Sequence, residues 1–257
     1  MAIVSVMIRD GIDLVRTFGA STRLWASGGV HHVDENYWVA LSGDASVNFN
    51  LACCNSSDSI VLTQSCLQPL LDQGQPGIIL LAGLGLSTAE HLSDSGWVCI
   101  GAQPLMLLSP LSPEPPTTSD VRTLDIDELN LARRAVTDSF GISDATAMTA
   151  IPDSIANCSD VTVWGLFEAS QLVSSVVIVE EDGLAVIWSM ATLPSSQGRG
   201  HGRRLLEVAL HDQHEKGATG SLLHSSAAGE NLYRGLGYQV IEYLQMWSRP
   251  RWVLGLA

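Results

Sequence analysis

Lysine is nearly missing from this chain: Lys216 stands alone, and basic residues together number 13 against 27 acidic ones. With a formal net charge of -14, nucleic acid is not an expected partner, because phosphate backbones are held by Lys and Arg. Long apolar runs are missing too. The longest, residues 77–86, is far short of the ~20 residues that cross a bilayer as a helix, so no membrane contact is expected. The first ten residues carry no basic leader ahead of their apolar stretch, and no small-residue cleavage site follows. No secretion signal is read from them. Cysteine is sparse and scattered: Cys53, Cys54, Cys66, Cys99 and Cys158 make no Cys-x-x-Cys pair. That pattern points to buried thiols in a reducing cytoplasm rather than to disulfides or a metal. His31 and His32 are chain neighbours whose side chains point apart, so they are read as part of a solvated loop and not as a metal pair.

Core material, by contrast, is plentiful. Apolar residues make up 46% of the 257 positions and charged residues 16%, enough for one large or two ordinary folded domains. Pro110, Pro113, Pro115 and Pro116 cannot continue a helix or a central strand. They mark a linker over 109–118 that divides the chain into 1–108 and 119–257. The first part reads as helices over 9–27, strands 36–43 and 47–54, helix 58–73, strand 77–82, a short helix 87–95 and a strand from Trp97 onward. The second reads as strand 121–125, helices 127–140 and 143–150, and strands 161–168, 172–180 and 184–193. It continues with helix 202–216, strand 220–225, helix 228–235 and strand 238–248. Strands alternating with helices give an α/β fold with a mixed sheet. The two parts echo each other: Glu90-His91-Leu92 precedes Gly96-Trp97, as Glu230-Asn231-Leu232 precedes Gly237-Tyr238. A diverged tandem repeat accounts for this.

The chemistry concentrates in Gln197-Gly198-Arg199-Gly200-His201-Gly202, between a buried strand and a helix of apolar residues at helical spacing. Glycine admits positive φ and a close ligand approach. The first turn of the helix then offers unpaired N–H groups and the positive end of its dipole. Together these features suit a phosphate group. The loop lacks the Gly-Lys-Ser/Thr ending of a nucleotide-triphosphate loop, and Arg203 stands where a dinucleotide fingerprint needs its third glycine. Arg199, Arg203 and Arg204 crowd the loop.

Gln-x-x-Gly-x-Gly at Gln197, Gly200 and Gly202 resembles motif A of the GNAT superfamily of N-acetyltransferases. Further on, Gly229-Glu-Asn-Leu-Tyr233-Arg-Gly-Leu-Gly237-Tyr238 resembles the family's second signature. The resemblance covers residues 118–252 and implies a tandem GNAT-like chain whose N-terminal domain is degenerate. It implies acetyl-CoA or another acyl-CoA as cosubstrate, without a metal, and a primary amine as acceptor (a small molecule, an amino acid or a peptide N-terminus), with the net acidity favouring a small or cationic amine. Residues 197–202 would hold the pyrophosphate, with Arg203 beside them. Met190, Ala191, Thr192 and Leu193 would hydrogen-bond the pantetheine arm. Tyr233 matches the tyrosine that protonates the departing thiolate. For the base, His224 has the right titration range, and Ser189, Glu168 or a chain of waters stand beside it as alternatives. Ser226 and Gly229 replace the commoner Asn and Ala before the tyrosine. A non-catalytic acyl-CoA-binding module is the alternative function, and a homodimer is an open expectation.

Overall fold

The computed structural model describes residues 8–9, 11–26, 28–112 and 120–254; most of the expected linker, 113–118, lies outside them. In chain order the main elements are α1 (Leu14–Ser21), β1 (Val30–Val33), β2 (Tyr37–Leu41), β3 (Asn50–Cys54), α2 (Gln68–Asp72), β4 (Ile78–Leu81), α3 (Ala89–Asp94) and β5 (Val98–Leu108). There follow β6 (Val121–Thr123), α4 (Leu129–Phe140), α5 (Asp144–Ala150), β7 (Val161–Glu168), β8 (Gln171–Glu181) and β9 (Leu184–Thr192). The last are α6 (His201–Glu215), β10 (Gly220–His224), α7 (Glu230–Leu236) and β11 (Gln239–Ser248). The fold is a mixed α/β fold.

The chain packs as two compact units. One is built from Met1–Met106, His224–Ala227 and Val240–Ala257, the other from Leu107–Leu223 and Ala228–Gln239. They therefore do not follow the division at 109–118. The last strand leaves the unit that precedes it: β11 pairs antiparallel with β4, Trp247 opposite Ile79 and Gln245 opposite Leu81. Ser248 Oγ donates to the Gly77 carbonyl at 2.8 Å and fixes that register.

The first unit has strand order β1-β2-β3-β4-β11-β5. Asp13 starts α1 by accepting from the amides of Val15 and Arg16, both at 3.0 Å, as a capping carboxylate does. Residues 58–73, expected as one helix, are wound as a π-helix over Val61–Leu67 before α2. Pro69 lacks an N–H and crowds the carbonyl four residues back, which disfavours α winding just before it. Leu62, Cys66 and Leu70 from this segment pack on Val39, Ala52, Cys54, Ile79 and Leu81, and the core closes with Trp97 and Trp247. His31 and His32, expected in a loop, lie in β1 opposite Ala40 and Val39. Their flanking valines give the segment the branched side chains a strand favours. Of the five cysteines, Cys53, Cys54 and Cys66 are buried thiols, whereas Cys99 and Cys158 are exposed.

The second unit has strand order β10-β9-β8-β7-β6. Asp182 and Gly183, both at positive φ, make the tight turn from β8 to β9. Helix α6 buries Leu205, Leu206, Ala209, Leu210 and Gln213. No described helix is long and apolar enough to cross a membrane.

Candidate active site

Strand β9 does two things that open a slot in the second unit. Its parallel pairing with β10 covers only Leu184 to Val186, opposite Gly220 to Leu222, although β9 runs on to Thr192. Its antiparallel pairing with β8 jumps from Val177–Trp188 to Ser175–Ala191. The residues skipped, Ser189 and Met190, form a bulge, and Ser189 takes φ +49° to make it. A bulge bends a strand and increases its twist, so β9 parts from β10 just beyond the core. Met190 thus has no ladder partner. Thr192 and Leu193 are tied down: the Thr192 carbonyl accepts from Ser139 Oγ at 2.8 Å and Gln197 Nε2 at 3.0 Å. The Leu193 amide donates to Val173 at 2.9 Å. The Ala191 carbonyl accepts from Ser174 Oγ at 2.8 Å.

The loop after β9 is exposed from Gln197 to Gly200. Gly198 and Gly200 sit at φ +73° and +81° with open space where a side chain would stand, the left-handed region where glycine carries no penalty. Gly200 precedes α6 and supplies no capping side chain. The first backbone bond it accepts comes from Arg204 at 3.0 Å, which leaves the amides of His201, Gly202 and Arg203 without an intrahelical acceptor. Arg199 is exposed and has no ion pair among the described residues. This cradle fits a diphosphate.

The other cations and the histidine of the loop turn elsewhere. The Arg203 guanidinium donates to the Gly235 carbonyl and meets Glu207 at 3.4 Å, joining α6 to α7. Only its amide faces the loop in the way the sequence suggested. Arg204 pairs with Asp120 at 2.6 Å. The His201 ring is buried, 3.5 Å from Glu168.

Tyr233 is held by the way α7 ends. Gly237 takes φ +97°; its amide bonds to the Arg234 carbonyl, and the Tyr238 amide bonds to the Tyr233 carbonyl, each at 3.0 Å. This is a Schellman ending, in which the residue after the glycine packs on the one five back. The pair here is Tyr238 on Tyr233, rings 5.6 Å apart at 67°. Tyr238 is fixed in turn, its hydroxyl 2.6 Å from Ser221 Oγ, which donates to the Ala185 carbonyl at 2.8 Å. Burial pushes the Tyr233 phenol above its ordinary value of 10.0, so it keeps its proton at neutral pH.

His224 is packed rather than presented. Its ring lies edge-on to Phe18 at 5.8 Å, and Nε2 is buried without a partner. Burial lowers its pKa to about 4, against a smaller opposing effect of a hydrogen bond with the Gln103 backbone. At pH 7 such a ring accepts a proton less readily than an ordinary histidine. It also carries a stability signature. The unfolded chain takes up a proton near pH 6.5 that the folded chain refuses until about pH 4, so stability falls as pH drops through that window. We expect a loss on the order of 3 kcal/mol. Urea unfolding at stepped pH should show it, and His224→Gln should flatten it.

The first unit has a parallel pair in the same relation, and there the slot is shut. Strands β3 and β4 pair from Leu51–Ile78 through Cys54–Leu81, and the Ala82 amide extends the ladder to the Cys54 carbonyl at 3.0 Å. After β3 comes Asn55-Ser56-Ser57-Asp58, with no glycine.

Ser139, Ser174 and Ser221 support the site yet carry no motif. Each acts through a partner distant in sequence, and nothing local marks it.

Comparisons with known proteins agree with this geometry. Residues 159–240 match the family model described as acetyltransferase (GNAT) domain. A GCN5-related N-acetyltransferase structure from Kribbella flavida superposes with a TM-score of 0.66 at 18% identity, covering 92% of this chain and 95% of its own. One from Sphaerobacter thermophilus gives 0.59 at 12% identity, covering 92% and 90%. At these identities the likeness is one of fold. A search of curated proteins found no match. Motif, slot and loop fall within residues 159–240, the part of the chain that is similar to the GNAT acetyltransferase domain.

Proposed function

We propose that the second unit transfers an acetyl or other acyl group from acyl-CoA to the primary amine of a small-molecule acceptor. The observation that carries this reading is the parting of β9 from β10 beside a glycine loop whose amides have no internal acceptor. An extended pantetheine arm would lie along β9 near Met190, in the manner of an added strand. The diphosphate would sit on the amides of residues 198–203, with the exposed Arg199 as its cation.

In the reaction, the acceptor nitrogen attacks the thioester carbonyl, the C–N bond forms, and the C–S bond breaks with its electron pair on sulfur, while the nitrogen gives up one N–H proton to water. Tyr233 donates to that sulfur as its charge develops. The amine must arrive without its ammonium proton. Because His224 is held at a low pKa, we assign that proton to water and give His224 a packing role. The acidic chain, with its net charge of -14, favours a cationic acceptor at long range.

Calorimetric titration with acetyl-CoA, with ADP and NAD as controls, tests the reading. Micromolar, acetyl-CoA-specific heat is expected. Because β3 and β4 leave no slot in the first unit, one cosubstrate per chain is expected, and a stoichiometry of two would contradict that assignment. Binding without turnover across a panel of amines would favour the non-catalytic module.

A further inference from the structure

Six described arginines face an acid: Arg122, Arg133, Arg134, Arg203, Arg204 and Arg234 each pair with a carboxylate. Arg249 and Arg251 do not. Among the described residues neither has a carboxylate partner, in a chain where acids outnumber bases 27 to 13. Both line one open cavity of about 370 Å³ in the first unit, together with Ser95, Gly96 and Pro250.

Two indoles stand beside the arginines of this cavity. Trp97 and Trp252 meet edge to face, centroids 5.4 Å apart. The Arg249 guanidinium lies 5.6 Å from the Trp97 ring and 5.9 Å from the Trp252 ring, and Arg251 lies 5.8 Å from Trp252. Trp97 belongs to the core, so this aromatic pair is anchored. Aromatic faces hold a guanidinium in place while leaving its N–H edge free to donate. Arg249 Nε is itself buried, so an oxyanion in the cavity would be received by the terminal N–H groups.

We propose that this cavity binds a small molecule through a phosphate or carboxylate group, received by Arg249 and Arg251 beside Trp252. The shared chemistry is an oxyanion of multiple charge. This site is separate from the glycine loop and does not rest on the acyl-transfer reading.

The test uses the full chain in low-salt buffer, with inorganic pyrophosphate and tricarballylate as probes and indole N–H resonances as readout. Assignment of Trp252 comes from Trp252→Phe. We expect one or both probes to move the Trp97 and Trp252 signals, the stronger probe deciding between phosphate and carboxylate ligands. Arg251→Gln, an exposed and structurally mild change, should weaken that response about tenfold, as the loss of a charge-assisted bond does. Arg199→Gln should leave it unchanged, since it touches only the loop. Arg249→Gln should abolish it, with thermal melting to confirm the fold. An indole response indifferent to Arg251→Gln overturns the proposal, as does a response lost only with Arg199→Gln or no response at millimolar probe.

Discussion

Replacing Gly200 by glutamate is expected to remove acetyl-CoA binding, with affinity falling by about a hundredfold or more. Two effects act together. Glutamate must adopt the φ of +81° found at Gly200, which costs an L-residue roughly 1–2 kcal/mol. It also sets a carboxylate at the mouth of amides that would receive a diphosphate, and two or three charge-assisted bonds at about 1.5 kcal/mol each are then lost. Asparagine separates the two effects. It tolerates the left-handed region better than most residues, and the space around Gly200 is open, so Gly200→Asn should keep most of the affinity. Titration of the three proteins with acetyl-CoA, alongside thermal melting, decides the matter. If Gly200→Glu binds as tightly as the parent, the loop is only a turn.

The loop was readable in the sequence because its requirement is local. Positive φ at Gly198 and Gly200 and a free helix end are properties of neighbouring residues, and glycine advertises them. The ending of α7 is similar: Gly237 demands a left-handed backbone, and the spacing from Tyr233 to Tyr238 is the spacing of the contact that accompanies it. What the sequence did not show is where the partners come from. Strand β11 reads as the close of its own domain, yet pairs with β4, because an apolar strand carries no mark of the edge it will join. Arg203 looks like a phosphate ligand from its place in the chain, and only folding brings the Gly235 carbonyl within its reach. His224 follows the same rule. Its titration range is a property of the free side chain, whereas the pKa of about 4 comes from burial beside Phe18.

For Tyr233→Phe, kcat is expected to fall on the order of a hundredfold, the lower end of what a general acid contributes, while KM for acetyl-CoA stays nearly constant. The direction of its pKa explains the modest size. A phenol raised above 10.0 by burial is a weaker acid than a thiol, whose ordinary pKa is about 8.5. Full transfer to the thiolate is therefore uphill, and the hydroxyl acts mainly by donating a hydrogen bond as charge reaches the sulfur. An interaction made only in the transition state lowers kcat and kcat/KM together. The same reasoning fixes the pH profile. Tyr233 does not ionise below pH 10, so the rate should rise with pH as the acceptor amine loses its proton, with no alkaline loss from the phenol in that range. The ring of Tyr233 also packs on Tyr238, and phenylalanine preserves that contact, which keeps the fold out of the comparison. If Tyr233→Phe turns over at the parent rate, the thiolate leaves unaided and the tyrosine serves only to pack α7.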